Sequence, residues 1–284
     1  MSNLSLLSAN LAVVVIESSL YGVYAVLASF TFYCMVKRHR DRRPASTGSL
    51  AADRDPGSHF RVPAAIAYLA LFVAITSHWL LNVSRLFIAF HRWDDGIGPA
   101  HFYGDLSHTT EVVKYGILVA AMLLSGCIGI YNAWVIWGFS TRVIILPVVM
   151  LVGLTVFGVG LTYQMSVYTS GDSVFEAAFR RWFTGVCFFG LSGATYTTGL
   201  IWYRLWNNSQ ELKALGITSV SEKSSKIFIH SAGLLTAWSL FHTVSYHSGS
   251  NIQYIVSECI PVMSGISKVL IQIRMHWHLI HDQM

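Results

Sequence analysis

Residues 142–165 read RVIILPVVMLVGLTVFGVGLTYQM. From Val143 to Leu154 only Pro147 and Gly153 interrupt the large aliphatic and thioether side chains. A half-buried strand would alternate apolar and polar residues with a period of two. A membrane barrel would do so in runs of about ten. This stretch does neither, and Ala64–Leu71 behaves in the same way. It is also long enough to cross a hydrocarbon layer of about 30 Å, which takes about 20 residues as helix. In lipid each backbone N–H and C=O must be bonded within its own segment, which selects helix. The pattern decides the fold class: all-α and integral to a membrane.

Six further stretches share this character. Together the spans fall at about 10–36, 63–91, 110–138, 142–165, 178–206, 224–247 and 251–273. The chain is then one domain over residues 1–284, a seven-helix bundle. Composition agrees: 54% of residues are hydrophobic and 12% charged, against about a quarter charged in soluble domains. The first span runs into a basic cluster and has no basic residue before it, so it reads as an uncleaved helix.

Lys and Arg accumulate on the cytosolic side of membrane proteins. The loop after the first span carries Lys37, Arg38, Arg40, Arg42, Arg43, Arg54 and Arg61. Arg142, Arg204, Lys213, Lys223, Lys226 and Arg274 fall on the same side. The other side holds Arg92, Lys114, Arg180 and Arg181. This asymmetry places the N-terminus outside and the C-terminus in the cytosol, in the plasma membrane or an endomembrane. The net charge of +5 resides in the cytosolic loops and implies no nucleic-acid partner. The expected surroundings are a lipid bilayer and a lipophilic small molecule.

Ionisable residues at depth are the informative ones, because a charge at a helix centre costs about 2.5–3.5 kcal/mol even on permissive scales. In span two His78, Asn82 and Arg85 share one helical face, which continues to Arg92. Glu17, with Tyr21 and Tyr24 on its face, lies about two turns inside span one. Glu258 has a matching depth in span seven, followed on its face by Pro261 and Gly265. His242 sits at a similar level in span six. The expectation is an outer-half polar cluster centred on Arg85, with Glu17 and Glu258 as counter-ions. The ligand-pocket candidates are Glu17, Tyr21, His78, Asn82, Arg85, His242 and Glu258. The cluster reads either as a lock between helices or as a pocket open to the outside.

Other motifs carry less. Cys34, Cys127, Cys187 and Cys259 all lie within spans and read as small packing residues. His242 and His247 are five residues apart, not the three or four of a helical metal pair; His276, His278 and His281 form a tail cluster with at most weak metal affinity, so neither metal nor cofactor is expected. Lys268 lies six residues before Arg274 and is expected to snorkel to the cytosolic surface rather than serve as an amine nucleophile. No Asp-Arg-Tyr ends span three and no Asn-Pro-x-x-Tyr occurs in span seven, so the marks of rhodopsin-like receptors are missing.

Several stretches occur together: Tyr21-Gly22; His78-Trp79 with Arg85 and Ala89-Phe90; Phe102-Tyr103-Gly104-Asp105-Leu106-Ser107 with Lys114; Ile130 to Gly138; and Ser250 to Ile255 with Pro261, Gly265 and Arg274. This set resembles a group of seven-span membrane proteins from mushroom-forming fungi, over nearly the whole chain. The resemblance implies topology and a fungal context but no biochemical activity. That group often has Gly-Asp within span three and Arg after its Ile-Tyr, where this chain has Gly126-Cys127 and Asn132.

The function classes left open are a receptor-like or small-molecule-binding protein, a membrane-embedded enzyme of isoprenoid-type metabolism with Glu17 or Glu258 as general acid, and a transporter. The lack of an internal repeat and of clearly broken helices weakens the last.

Overall fold

The computed structural model describes residues 5–41, 58–91, 99–104, 107–167, 173–214, 220–248 and 251–281. These form nine helices: α1 (Leu6–Asp41), α2 (Ser58–His91), α3 (Pro99–Gly104), α4 (Thr109–Ile136), α5 (Thr141–Ser166), α6 (Ser173–Ala214), α7 (Val220–His247), α8 (Ile252–Glu258) and α9 (Ile260–His281). No strand occurs among the described residues. Arg42, Arg43, Arg54 and Arg92, which entered the orientation argument, lie outside them. So do the side chains of Arg38, Arg40, Arg61 and Arg274 and of the tail histidines.

Among the described residues four helices are long and apolar enough to cross a membrane: Leu7–Lys37, Pro63–His91, Thr109–Ile136 and Thr141–Ser166. A fifth candidate is the pair Ile252–Glu258 and Ile260–Ile273, bent by 42°. The sequence reading expected a continuous span here. The break has a local cause: Pro261 has no N–H to offer the Ser257 carbonyl, and its ring crowds that carbonyl. Cys259 closes α8 by donating its N–H to the Ile255 carbonyl at 3.3 Å.

Packing follows a ring. α1 lies against α2, α2 against α4, α4 against α5, α5 against α6, α6 against α7, and α7 against α9, which returns to α1. α4 also reaches across to α9. Close approaches replace side chains at several points. A Cβ on Gly265 of α9 would stand 2.5 Å from Ile75 Cδ1 and 2.6 Å from Tyr24 Cε2, so α1, α2 and α9 meet over a position that has no room for a methyl. Gly158 and Gly185 are crowded in the same way, by Val119 and Phe157 respectively. Small residues at helix contacts are typical of packing in lipid.

The polarity of the fold is inverted relative to a water-soluble protein. Val15, Val26, Val36, Ile66, Phe87, Ile145 and Val159 are all exposed. Glu17, His78, Arg85, Glu111, Lys114, Glu258 and Lys268 are all buried. Water would penalise such an outside and lipid would penalise its opposite, so the surface selects a membrane. Hydroxyls agree: Ser19, Ser29, Thr31, Thr76, Ser84, Thr155 and Thr162 each donate to the carbonyl four residues back. That bond satisfies a hydroxyl without water. Cys127, expected to be a buried packing residue, is exposed on the apolar surface of α4.

Candidate functional site

A chain of buried charges joins α1, α2, α8 and α4. It begins at Glu17 on α1, which is fully buried. His78 Nδ1 lies 2.8 Å from Glu17 Oε1, and Asn82 Nδ2 donates to Glu17 Oε2 at 2.6 Å. The same Asn82 amide donates to Glu258 Oε2 at 3.1 Å. His78 Nε2 stands 3.3 Å from that oxygen as an ion-pair contact. His78 and Asn82, one turn apart on α2, therefore both bridge the two carboxylates of α1 and α8.

The chain continues through Lys114 on α4. Its ammonium is 2.9 Å from Glu258 Oε1 and 3.0 Å from Glu111 Oε1, one turn away on its own helix. Glu111 Oε2 lies 2.7 Å from Arg85 Nη2. Arg85 Nη1 donates to the Thr110 hydroxyl, which is 2.8 Å from His108 Nδ1. The Thr110 N–H also donates to that nitrogen, capping the start of α4. The guanidinium ends under α3, 4.7 Å from the ring centroid of the fully buried Phe102 and 5.9 Å from that of Tyr103. Burial pushes the Tyr103 phenol up from its ordinary value, against the pull of Arg85.

Every carboxylate oxygen of Glu17, Glu111 and Glu258 thus faces an N–H-bearing group. A buried carboxylate is tolerable only when its lone pairs are satisfied in this way. No group of three His, Cys, Asp or Glu suited to a metal ion occurs among the described residues.

Of the seven residues singled out in the sequence, Glu17, His78, Asn82 and Glu258 meet directly. Arg85 belongs to the same chain but not as its centre, and its counter-ion is Glu111. Seven residues of helix carry it about 10 Å beyond His78, level with the first turn of α4. Tyr21 turns away: its hydroxyl is 3.0 Å from Thr76 Oγ1 and its ring stacks on Trp79 at 4.4 Å. A step of four residues rotates about 40° from Glu17 whereas seven rotate only about −20°, so Tyr24 holds the buried face (1% exposed) and Tyr21 is displaced from it. His242 also stands apart: α7 packs on α6, α8 and α9, but the imidazole faces α6. Its Nδ1 is 3.8 Å from Cys187 Sγ, and its ring centroid is 5.7 Å from that of Phe183.

Glu111 and Lys114 were absent from the sequence-derived set. Their i, i+3 spacing at the start of a span was the available signal, but both read as outer-side charges. Lys268 was expected at the cytosolic surface and is instead 7% exposed inside the bundle. A helical side chain leans toward its helix N-terminus, which for Lys268 means away from the chain's end. Gly129 on α4 leaves the space: a Cβ there would lie 2.9 Å from the Lys268 ammonium.

Fold and network together define a helical integral membrane protein whose interior is held by charge pairs. No family model, curated protein or solved structure matches the chain.

Proposed function

We propose that the chain is a seven-span, receptor-like protein that binds a small lipophilic molecule, with its N-terminus outside and its C-terminus in the cytosol. α6, with 42 residues, and α7, with 28, supply two spans beside the four apolar helices and the bent pair. The ring of helix contacts and the basic residues of the sequence support the same count and orientation. The stretches resembling the seven-span group of mushroom-forming fungi support them as well.

One observation carries the receptor-like reading: the charge chain from Glu17 to Arg85 ties four helices together while leaving no carboxylate oxygen free. A general acid for isoprenoid chemistry needs a protonated carboxyl aimed at substrate. Here each carboxyl is engaged as an acceptor by a cation or an amide, which disfavours the enzyme. The 42° break directly after Glu258 favours a transporter in one respect, since discontinuous helices recur at transport sites.

The test has two arms. Epitope tags at the two ends should stain intact cells at the N-terminus and only permeabilised cells at the C-terminus. Native mass spectrometry of the full chain, released from its own membrane, should show a bound small molecule. A reversed staining pattern refutes the orientation. A protein that carries no small molecule, yet drives counterflow in proteoliposomes, refutes the receptor-like reading in favour of transport.

A further inference from the structure

Below the charge chain, α4, α5, α6, α7 and α9 leave a narrow cleft, open on one side, with a cavity volume of about 70 Å³. Its walls are mainly apolar, including Met122, Leu151, Leu154 and Phe189. Pro147 and Gly126 contribute small or rigid surfaces. The Lys268 ammonium lies at this cleft, on a side chain 93% removed from solvent by its 7% exposure. No hydrogen bond or ion pair reaches that ammonium among the described residues. No carboxylate lines the cleft among them either, whereas the hydroxyl residues Ser125 and Ser239 do.

We propose that this cleft binds a lipophilic carboxylate, its anionic head paired with the Lys268 ammonium and its hydrocarbon chain laid on the apolar walls. The inference rests on the small-molecule-binding reading above and names its site and ligand class. The argument is charge complementarity. An uncompensated ammonium in a helix bundle is costly, and every anion of the neighbouring network is already engaged. A monoanion supplies the missing charge, and Ser125 and Ser239 add hydroxyl residues to the same cleft. The enclosed space takes the carboxylate head and the first part of the chain, and the open side leaves the rest of the chain to the apolar surface, as apolar walls with few polar groups favour between helices. An aldehyde condensing with the amine is the competing chemistry: the carbonyl carbon would bond to Nζ with loss of water. Protonation of that imine would again leave a cation without a counter-ion, so the carboxylate is favoured.

The experiment uses the full chain in neutral phosphatidylcholine nanodiscs and a diazirine-bearing hexadecanoic acid, with cross-links mapped by peptide mass spectrometry. Labelling is expected on cleft residues of α5 and α6, competed by oleic acid and not by oleyl alcohol. Lys268→Met should reduce it by about tenfold or more, a difference of about 1.4 kcal/mol, and Lys268→Arg should retain it. If Lys268→Met fails to fold, Leu154→Trp narrows the cleft without touching the ammonium and should give the same loss. Equal labelling of Lys268→Met, equal competition by the alcohol, or labelling confined to other surfaces each overturns the proposal. Borohydride fixation of a natural ligand on Lys268 overturns it in favour of the aldehyde. A natural small molecule found by native mass spectrometry, without cleft labelling, refutes this site alone. Absence of both refutes the small-molecule reading with it.

Discussion

Replacing Arg85 by Gln removes the cation that neutralises one side of Glu111, at an ion-pair distance of 2.7 Å with Arg85 2% exposed. Breaking a buried pair from one side costs about 3–5 kcal/mol, mainly because the abandoned charge stays buried. Glu111→Gln should cost a similar amount by leaving Arg85 unpaired, although the ring of Phe102 at 4.7 Å retains some stabilisation of the cation. The double variant leaves two neutral amides that can bond each other. It should be less destabilised than the sum of the singles, with a coupling energy of about 2–3 kcal/mol. Arg85→Gln combined with Glu258→Gln is the control. Glu258 bonds Lys114, Asn82 and His78 rather than Arg85, so that pair, linked only through Glu111 and Lys114, should show a smaller coupling than Arg85 with Glu111. The assay is reversible unfolding of each variant in bicelles, read as a free energy from the unfolded fraction. Additive Arg85 and Glu111 variants, or coupling larger for Arg85 with Glu258 than with Glu111, would refute the order of the chain.

Three further outcomes are expected from the same assay. His78→Gln leaves Glu17 and Glu258 facing each other with less positive charge between them and should cost about 3 kcal/mol or more; adding Glu17→Gln should recover part of it. Gly265→Ala forces a methyl against Ile75 and Tyr24 at 2.5 and 2.6 Å and should cost about 1–3 kcal/mol, whereas Gly22→Ala, with nothing within 4 Å, should be neutral or slightly stabilising. Phe102→Ala uncovers the Arg85 guanidinium and deletes a fully buried ring; a loss of about 3–5 kcal/mol is expected, and Phe102→Tyr should recover most of it.

What the sequence disclosed was set by periodicity and by cost. Apolar runs such as Val143–Leu154 are one-dimensional signals, so helix and membrane were legible, and α5 falls within a residue of the stretch read for it. Helical phase was equally legible along one helix: His78, Asn82 and Arg85 do share a face of α2. Partners between helices were not, because they depend on axial level and on which helices are neighbours. Arg85 is two turns too far out for Glu17, and His242 faces Cys187 and Phe183 on α6 rather than the carboxylates. Glu111 and Lys114 were hidden by position, since charges at the start of a span resemble loop charges until their partners Arg85 and Glu258 on other helices are known. Lys268 was misplaced by counting residues to the end of the span, whereas the lean of its side chain and the gap at Gly129 determine where its ammonium sits.

Charge counting separates the two interior features. Glu17, Glu111 and Glu258 contribute three negative charges, and Arg85 and Lys114 two positive ones. His78 decides the balance: a carboxylate oxygen lies 2.8 Å from one ring nitrogen and 3.3 Å from the other. A neutral imidazole would present a lone pair to one of them, while the doubly protonated ring presents a proton to both. Each carboxylate of the chain thus has partners from within the bundle, across α1, α2, α4 and α8. Lys268 belongs to no such sum. Among the described residues the network is paired from within the bundle, whereas the Lys268 ammonium at the cleft has no carboxylate beside it, and it is there that an anion from outside the chain is proposed.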